Sequence, residues 1–401
     1  MASHLQLLLF LFLLTINRLS SAQTTFFHGD FLLTIAKDPQ TLQYTTQLLI
    51  GTPPLPTKLV VHFSGQSLWL SCAQPSSSRQ LVRHGSLPCL MAKSGGQSPI
   101  APPTICDIHQ ENPITGSTNF GDLAEDIFTI VDGNGPVVTV DRFLFSCSPE
   151  YLLKGLATGA KGVLGFGRSK IAFQSQAVNN FDISRKFTVC LSSSEGFIIS
   201  GTSSGISKSL SYTPLTSTHG PDGYYVNVKS IKINGRRLAL HDGGQGQGQG
   251  QPIRGVEIST IVPYTTMKTP IYKIFTKAYV NAASSMNMTM VAPVGPFGVC
   301  FSSQESVPEI ELVLQSELVK LKVQRRNSMV QVSDAVMCLG FVDGGLDMSG
   351  SMVLGGYQLE DHILEFNLGT GMMGFSPSLL IQGNSCSNMK SGFVRSPKDW
   401  V

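Results

Sequence analysis

Short runs of apolar, β-branched and aromatic residues recur along nearly the whole of this 401-residue chain. Turn-forming residues separate the runs, as in Gly51-Thr52-Pro53-Pro54, Asn234-Gly235 and Asp343-Gly344-Gly345. Because such residues favour tight turns, the alternation is typical of β-strands joined by short connections. It predicts an all-β protein with minor helices. The expected strands cover residues 42–50, 59–61, 68–70, 127–131, 137–145, 187–191, 197–200, 224–233, 256–261, 329–332, 337–341, 351–354 and 363–366.

One segment, residues 270–283, has the pattern of an amphipathic helix. Thr269 is expected to be its N-cap, and Pro270 its first helical residue. The helical period places several apolar side chains on one face. They are Ile271, Ile274, Phe275, Ala278 and Ala282.

A weak internal repetition divides the chain into two halves. "KGVLGFGRSKIAFQSQ" (161–176) and "SMVLGGYQLEDHILEFN" (351–367) share an apolar pair, a glycine motif and then an expected apolar strand. "LVVHFSGQS" (59–67) and "VEISTIVPYT" (256–265) share a strand that enters a turn of small residues. Since each half carries both features, the sequence predicts duplicated β lobes with a cleft between them.

Composition excludes some classes of protein. Hydrophobic residues make up 42% and charged residues 14%, so the chain can bury a large core and is not globally disordered. The formal net charge of +3 is spread without a dense basic block, which argues against a nucleic-acid partner. No sequence motif indicates a cofactor or a metal.

The N-terminus reads as a secretory signal peptide, assigned to residues 1–22. An apolar stretch runs from Leu7 to Ile16, and Ser20-Ser21-Ala22 supplies the small residues of a cleavage site. The stretch is about half as long as the roughly 20 residues of a membrane-spanning helix, so no membrane association is expected. We expect the mature protein to be secreted into the extracellular space, the apoplast and cell wall.

Eight cysteines fit such an oxidising compartment, and their even number favours disulfides. No Cys-x-x-Cys pair indicates structural zinc. Eight cysteines allow roughly a hundred connectivities, so the pairing cannot be deduced. The expected pairs are Cys72–Cys147, Cys89–Cys106, Cys190–Cys386 and Cys300–Cys338. Asn287-Met288-Thr289 is the only acceptor sequence for an N-linked glycan.

The sequence resembles the pepsin-like aspartic proteinases across nearly all of the mature chain. The motifs that carry this resemblance are Ile50-Gly51-Thr52-Pro53-Pro54, the strand and turn before Trp69, Gly162-Val163-Leu164-Gly165 and the ending Gly355-Gly356-Tyr357…Phe366…Gly374-Phe375. Within that superfamily it is most similar to a plant branch of TAXI-type xylanase inhibitors, extracellular dermal glycoproteins, basic 7S globulins and γ-conglutin. Motifs typical of the branch are Thr41-Leu42-Gln43-Tyr44, Glu111-Asn112-Pro113, Phe145-Ser146-Cys147, Phe187-Thr188-Val189-Cys190-Leu191, Cys338-Leu339-Gly340-Phe341 and Gly356-Tyr357-Gln358-Leu359-Glu360-Asp361.

The resemblance implies a bilobal pepsin-like fold, with two β-barrel-like lobes about a pseudo-two-fold axis. We assign residues 23–211 to the N-terminal lobe and residues 212–401 to the C-terminal lobe.

Aspartic proteolysis requires two carboxylates that share a proton and hold a water between them. In the family each carboxylate stands in an Asp-Thr/Ser-Gly turn. At the matching positions this chain has His62-Phe63-Ser64 and Ser259-Thr260-Ile261. Both acids and both glycines are replaced, and bulky Phe63 and Ile261 are expected to crowd the cleft floor. The resemblance therefore implies a protein that is not an enzyme.

One hydrolase alternative stays open at this point. If His62 and Ser259 face each other, they could act as a base and its nucleophile. No acidic residue is placed to orient the imidazole, and no oxyanion hole is evident, so a residual hydrogen bond is the simpler interpretation.

Inhibition of a secreted microbial glycoside hydrolase, a xylanase or xyloglucanase, is the favoured function. In TAXI-type inhibitors a basic side chain just before the last cysteine meets the catalytic carboxylates of the enzyme. Here Gln382 or Gly383 falls at that place, and Arg325-Arg326 is another possible source of charge. The alternative is a storage or signalling globulin like basic 7S globulin and γ-conglutin.

Overall fold

The structure is a computed structural model that describes residues 31–93, 104–130, 138–181, 184–200, 210–217, 222–240 and 252–393. The expected signal peptide lies outside these residues. Strands dominate the described chain. In the first half they are β1 Phe31–Lys37, β2 Tyr44–Ile50, β3 Leu55–His62, β4 Trp69–Ser71, β5 Gln80–Leu81, β6 Asp107–Glu111, β7 Thr118–Ile130, β8 Val138–Ser148, β9 Gly162–Gly165, β10 Lys186–Cys190 and β11 Glu195–Ser200.

The second half continues the same pattern of short strands. They are β12 Ser211–Pro214, β13 Tyr225–Val228, β14 Ser230–Ile233, β15 Arg236–Arg237, β16 Ile253–Ile258, β17 Thr265–Met267, β18 Met290–Val291, β19 Cys300–Ser302, β20 Ile310–Ser316, β21 Val319–Val323, β22 Met329–Ser333, β23 Val336–Leu339, β24 Phe341–Asp343, β25 Met352–Leu354, β26 Ile363–Asn367 and β27 Met372–Phe375.

Helices are short, apart from one in the second half. They are α1 Leu87–Ala92, α2 Phe173–Phe181, α3 Thr269–Ser285, α4 Arg325–Ser328, α5 Gly356–Leu359 and α6 Cys386–Phe393, with 3₁₀ turns at Glu150–Leu153 and Leu379–Gln382. The all-β class with minor helices is therefore confirmed.

A closed β-barrel forms the body of the N-terminal half. Its strand order is β2-β3-β9-β4-β8-β7, and β7 closes the ring by pairing again with β2 at Leu49 and Ile50. Closure leaves no unpaired edge within the ring and encloses an apolar core. Leu59, Val61 and Phe145 are among its fully buried side chains.

The two halves repeat one strand arrangement, as the internal repetition predicts. β3 runs parallel to β9, and β4 pairs antiparallel with β9 and parallel with β8. In the second half, β16 runs parallel to β25, and β17 pairs antiparallel with β25 and parallel with β24. His62 and Ser259 lie at corresponding places, at the end of β3 and directly after β16.

A shared sheet joins the halves. β26, β27 and β12 of the second half extend the large sheet through β10, β11 and β1 of the first. At this junction Phe187 lies opposite Phe366, and their rings stack with centroids 4.9 Å apart. The remaining strands form a β13-β16-β25-β17-β24 sheet and two four-stranded sheets, β15-β14-β20-β21 and β18-β19-β23-β22.

Four disulfide bonds link the pairs expected from the sequence, Cys72–Cys147, Cys89–Cys106, Cys190–Cys386 and Cys300–Cys338. The Cys190–Cys386 bond spans 196 residues and ties α6 to the strand β10. Cross-links between distant segments stabilise a fold chiefly by restricting its unfolded state.

Three expectations about local structure are wrong. The N-cap of α3 is Lys268 rather than Thr269, whose hydroxyl instead donates to Asp343 Oδ1 at 2.6 Å. The expected strands also leave out several that form, among them β1, β20 and β21. Residues that follow β9 form α2 rather than a strand, since Phe173 and Ala177 of this helix pack into the barrel core.

Candidate functional site

The turns that follow β3 and β16 meet where the two halves join. Thr260 Oγ1 donates to the backbone oxygen of Val61 at 2.7 Å, and the Phe63 amide donates to Thr260 Oγ1 at 3.4 Å. Phe63 has no side-chain hydroxyl and cannot form the equivalent pair of hydrogen bonds. Both of these hydrogen bonds between the two turns therefore use the Thr260 hydroxyl.

Phe63 does not crowd the cleft floor, contrary to the sequence-based expectation. Its side chain is fully buried and packs edge-on against Phe187, Tyr224 and Phe366, with centroids 5.5–6.5 Å apart. Ile261 is also buried, in an apolar cluster that contains Val60. Both replacements therefore strengthen packing between the halves, because each buries apolar surface there.

Ser259 is a poor nucleophile in this arrangement. Its side chain is buried, and its Oγ accepts hydrogen bonds from the amides of Ile261 and Val262, both at 3.2 Å. A hydroxyl oxygen that accepts two amide protons stabilises its own turn. Among the described residues, no hydrogen bond joins it to the His62 imidazole.

His62 stands at the end of β3 with a partly buried side chain. Burial lowers the pKa of His62 to about 4, because desolvation penalises the charged imidazolium. No carboxylate contacts its ring among the described residues. The neutral imidazole therefore has neither the orienting acid nor the hydrogen-bonded hydroxyl of a Ser–His nucleophile.

Sequence reasoning missed a polar cluster beside these turns. Ser64 Oγ donates to Glu257 Oε1 at 2.6 Å, and Gln66 Nε2 donates to Asp222 Oδ2 at 2.9 Å. Burial raises the pKa of both carboxyl groups and also that of the neighbouring Tyr225 phenol. Neither carboxylate forms an ion pair within the described part of the chain.

These contacts run from a turn of the first half to β16 and to the segment before β13 in the second, so they hold the halves together. They do not form a shared-proton acid pair, because each carboxylate hydrogen-bonds a separate neutral donor. A sequence signal for this cluster existed. Glu257 alternates with buried Val256 and Ile258 in β16, and this period of two places it on the same face as Ser259.

The glycine motif of β9 is a packing feature. A Cβ at Gly162 would collide with the Trp69 backbone oxygen, and one at Gly165 with the Ser67 backbone oxygen. Trp69 itself is 3% exposed and packs in a buried cluster. The motif thus allows close strand contact beneath the turns.

The candidate partner-binding residues lie on two surface segments. Gln382 ends the 3₁₀ turn Leu379–Gln382, and Gly383 follows it with a left-handed φ of 67°. Arg325 and Arg326 begin α4 and are exposed, with Arg325 Nε donating to the Gln304 oxygen at 3.0 Å. The glycan acceptor Asn287 is exposed just after α3. All of these assignments stay predictions.

No group of three or more His, Cys, Asp or Glu side chains in the described ranges could hold a metal ion. Within the same ranges, no helix is long and apolar enough to cross a membrane.

Comparisons with known proteins agree with this architecture. Residues 44–202 match a family model described as "Xylanase inhibitor N-terminal", and residues 223–377 match one described as "Xylanase inhibitor C-terminal". The chain belongs to this TAXi family. A similar protein from Nicotiana benthamiana is named "Probable aspartic proteinase GIP2" and is 37% identical over 92% of this chain and 93% of that one.

Other similar proteins carry different names. "Gamma conglutin 1" of Prunus dulcis is 34% identical over 91% of this chain and 90% of its own. Among solved structures, "Crystal structure of edgp" has a TM-score of 0.81 and 38% identity, covering 90% of this chain and 97% of that chain. Soybean basic 7S globulin has a TM-score of 0.79 and 31% identity, covering 90% and 99%. These matches confirm the recognised branch and its pepsin-like fold.

Proposed function

We propose that this TAXi chain is a secreted, catalytically inactive protein that binds and blocks a microbial glycoside hydrolase in plant defence. The observation that carries the proposal is the chemistry of the two turns where the halves meet. A histidine and a serine stand there in place of a carboxylate pair. Because neither turn carries a carboxylate, the shared-proton chemistry of the aspartic proteinases is absent, and we infer a binding function instead.

Catalytic inactivity is supported by the contacts of the polar side chains at and beside the turns. Ser259 caps its own turn, and the neutral His62 imidazole has no hydrogen-bonded partner among the described residues. The nearby carboxyls of Glu257 and Asp222 are each held by one neutral donor. This arrangement contains no acid–base pair that could activate a water molecule, so we infer that the protein does not cleave peptides.

A fluorophosphonate probe is expected to leave Ser259 unlabelled in the native protein. The reason is that its hydroxyl oxygen already accepts two amide hydrogen bonds and lacks a base. Intact-mass and peptide analysis after overnight exposure checks this, with Ser259→Ala as the matched control. Probe adducts at Ser259, or pepstatin-sensitive cleavage of a protein at acid pH, would contradict inactivity.

Partner binding is supported by the family models, which are both described as xylanase inhibitors. The expected signal peptide, the four disulfides and the exposed Asn287 acceptor suit a secreted glycoprotein of the apoplast. A xylanase or xyloglucanase from a microbe is the proposed partner.

A second candidate is favoured by the names of other relatives. Gamma conglutin and basic 7S globulin are among the similar proteins, so a storage or signalling globulin is the competing function.

Titration against purified fungal xylanase and xyloglucanase separates these candidates. We expect loss of activity of one enzyme to reach its endpoint at a molar ratio of 1:1, because a plug in a cleft excludes substrate stoichiometrically. Heat-denatured protein is the control. No inhibition of either enzyme, combined with accumulation in seed protein bodies, would favour the globulin.

A further inference from the structure

The β6–β7 hairpin and its neighbours enclose four buried, neutral polar residues, which we call the polar seat: Ser67, Gln110, Ser146 and Ser148. Asn119, Gly121 and Leu123 are alternate residues of β7 and therefore lie on one of its faces. Asn119 pairs with Gln110 of β6, and Leu123 pairs with Ser146 of β8. Because directly opposite side chains of an antiparallel pair lie on the same face, Gln110 and Ser146 face the same interior region. Ser148 shares this face, two residues further along β8.

Three members of the polar seat have a buried polar atom without a partner. Ser146 is fully buried, and the other three residues are 4–6% exposed. Within the described ranges, no hydrogen bond reaches Gln110 Nε2, Ser146 Oγ or Ser148 Oγ. Only seven buried side-chain atoms in those ranges are in this condition, so nearly half of them lie on one face of one sheet. Folded proteins pair almost all of their buried polar groups, either with the chain itself or with ordered water. We therefore expect a partner that the chain does not supply.

Two local features direct these groups into the interior. A Cβ on Gly121 would collide with Ser146 Oγ and with the backbone oxygen of Cys147, so glycine makes room for the serine hydroxyl. Gln110 is oriented from its other end, because its Oε1 accepts a hydrogen bond from Ser67 Oγ at 3.1 Å. Its Nε2 then keeps both protons for another acceptor. One amide donor and two hydroxyls, which can donate or accept, are thus held in place.

The chemistry of the polar seat fits water. None of its members is charged, so it offers no counter-charge to an ion, and burying an unpaired ion is costly. Its unpaired atoms are shielded from solvent, which excludes a large ligand. We propose that the polar seat binds internal water, with at least one molecule that accepts from Gln110 Nε2 and hydrogen-bonds a serine hydroxyl of β8. Buried waters typically form about three hydrogen bonds to groups of this kind.

Internal water completes the attachment of the hairpin to the first half. At the hairpin tip, Asn112 Nδ2 donates to the backbone oxygens of Leu152 at 2.6 Å and Lys154 at 2.8 Å. The contact between Ser67 and Gln110 joins the hairpin to the segment between β3 and β4. Water at the polar seat links β6 to β8 across β7, where Gly121 has no side chain to separate them. The hairpin is therefore attached at its tip and along its inner face.

A crystal structure of the mature wild-type protein, at a resolution that shows ordered water, tests the site directly. We expect water density within about 2.7–3.2 Å of Gln110 Nε2 and of the hydroxyl of Ser146 or Ser148. The inference is overturned if no water lies there, or if Gln110 Nε2 pairs directly with a serine hydroxyl.

Urea unfolding of Ser146→Ala and Ser148→Ala provides a second readout in solution. A hydroxyl that binds internal water stabilises the fold, so at least one of these substitutions should raise the unfolding equilibrium constant by about fivefold or more. A buried hydroxyl without a partner gives the opposite result, because its removal relieves a desolvation cost. Unchanged or lower unfolding constants for both variants would therefore count against internal water.

Ser306→Ala is the matched control, because Ser306 is exposed. It should change the unfolding equilibrium constant by less than about twofold. Neither measurement involves a glycoside hydrolase, so the result leaves the proposed function untouched.

Discussion

Acidification from pH 7.5 to pH 4 is expected to destabilise the protein by about 3 kcal/mol through His62 alone. Burial holds the pKa of His62 at about 4 in the folded state, against 6.5 for an unperturbed imidazole. The unfolded chain therefore binds the proton more tightly. The stability that the neutral His62 contributes is fully present above pH 6.5 and is lost as the pH falls towards 4. Below pH 4 this contribution levels off.

Urea unfolding of wild type and His62→Asn at pH 7.5, 5.5 and 4 measures this contribution. The variant should lose about 3 kcal/mol less stability than wild type over that interval. His109→Asn is the control, because His109 lies exposed on β6. Its replacement should not change how the free energy of unfolding depends on pH. A His62→Asn profile parallel to wild type would contradict the prediction.

Other titratable groups also contribute to the pH dependence of stability in the wild type. The test therefore compares the change in unfolding free energy between wild type and His62→Asn. His362 is fully buried, and burial lowers its pKa as well, which adds acid destabilisation of the same sign. Glu257 acts in the opposite direction, because burial raises its pKa and protonation then favours the folded state. A carboxylate at position 62 that shared a proton would likewise have favoured acid conditions. The replacement by histidine thus reverses the pH preference of the cleft floor.

The sequence predicted the duplicated architecture because the signal is local. Each of β3 and β16 is an apolar strand that runs into a turn, and the glycine motifs that flank them mark the strands that lie alongside. Period-two alternation and glycine positions are visible within about ten residues. These features predict two similar lobes, whereas the meeting of the two turns is what the resemblance to pepsin-like proteins implies.

Tertiary contacts account for what the sequence did not reveal. β20 was missed because Glu311 interrupts an otherwise apolar run, yet Lys320 of the neighbouring β21 neutralises it at 2.6 Å. The sequence predicts Thr269 as an N-cap because it shows only the neighbouring residues, whereas in the structure the Thr269 hydroxyl donates to Asp343. Partners at such distances override local preference.

The site was predicted in identity but not in contacts. The sequence alone shows that positions 62 and 259 carry no acidic residue. The burial of Phe63 among three aromatic rings depends on strands β10 and β26, which come from different halves. The Ser64–Glu257 hydrogen bond likewise joins residues 193 positions apart.

Replacement of Glu360 by glutamine is expected to destabilise the protein by about 3–5 kcal/mol. Glu360 Oε1 lies 2.6 Å from Lys37 Nζ and also accepts from the Tyr44 hydroxyl at 2.7 Å. The two charged side chains are only 7% and 10% exposed. Removing the carboxylate leaves the ammonium buried without a counter-charge, and the pair joins β1 of the first half to the second.

Urea unfolding at pH 7.5 of Glu360→Gln, Lys37→Met and the double variant tests the coupling. We expect the double variant to lose clearly less stability than the sum of the single losses, because no charge is left unpaired. Two aromatic rings beside Lys37 also favour a small loss in the double variant. Lys37 Nζ lies 5.5 Å from the Tyr357 ring centroid and 5.8 Å from that of Tyr44, so a methionine there keeps apolar contact.

An exposed ion pair of the same geometry provides the control for burial. Lys322 Nζ lies 2.7 Å from Glu309 Oε1, but the side chains are 46% and 47% exposed. Glu309→Gln should cost no more than about 1 kcal/mol, since water solvates the lysine that remains and Glu311 lies 3.5 Å from its Nζ. Equal losses for Glu360→Gln and Glu309→Gln would mean that burial adds nothing to the pair. The larger loss at Glu360 would identify this contact as a principal fastening between the halves, on which a rigid binding surface depends.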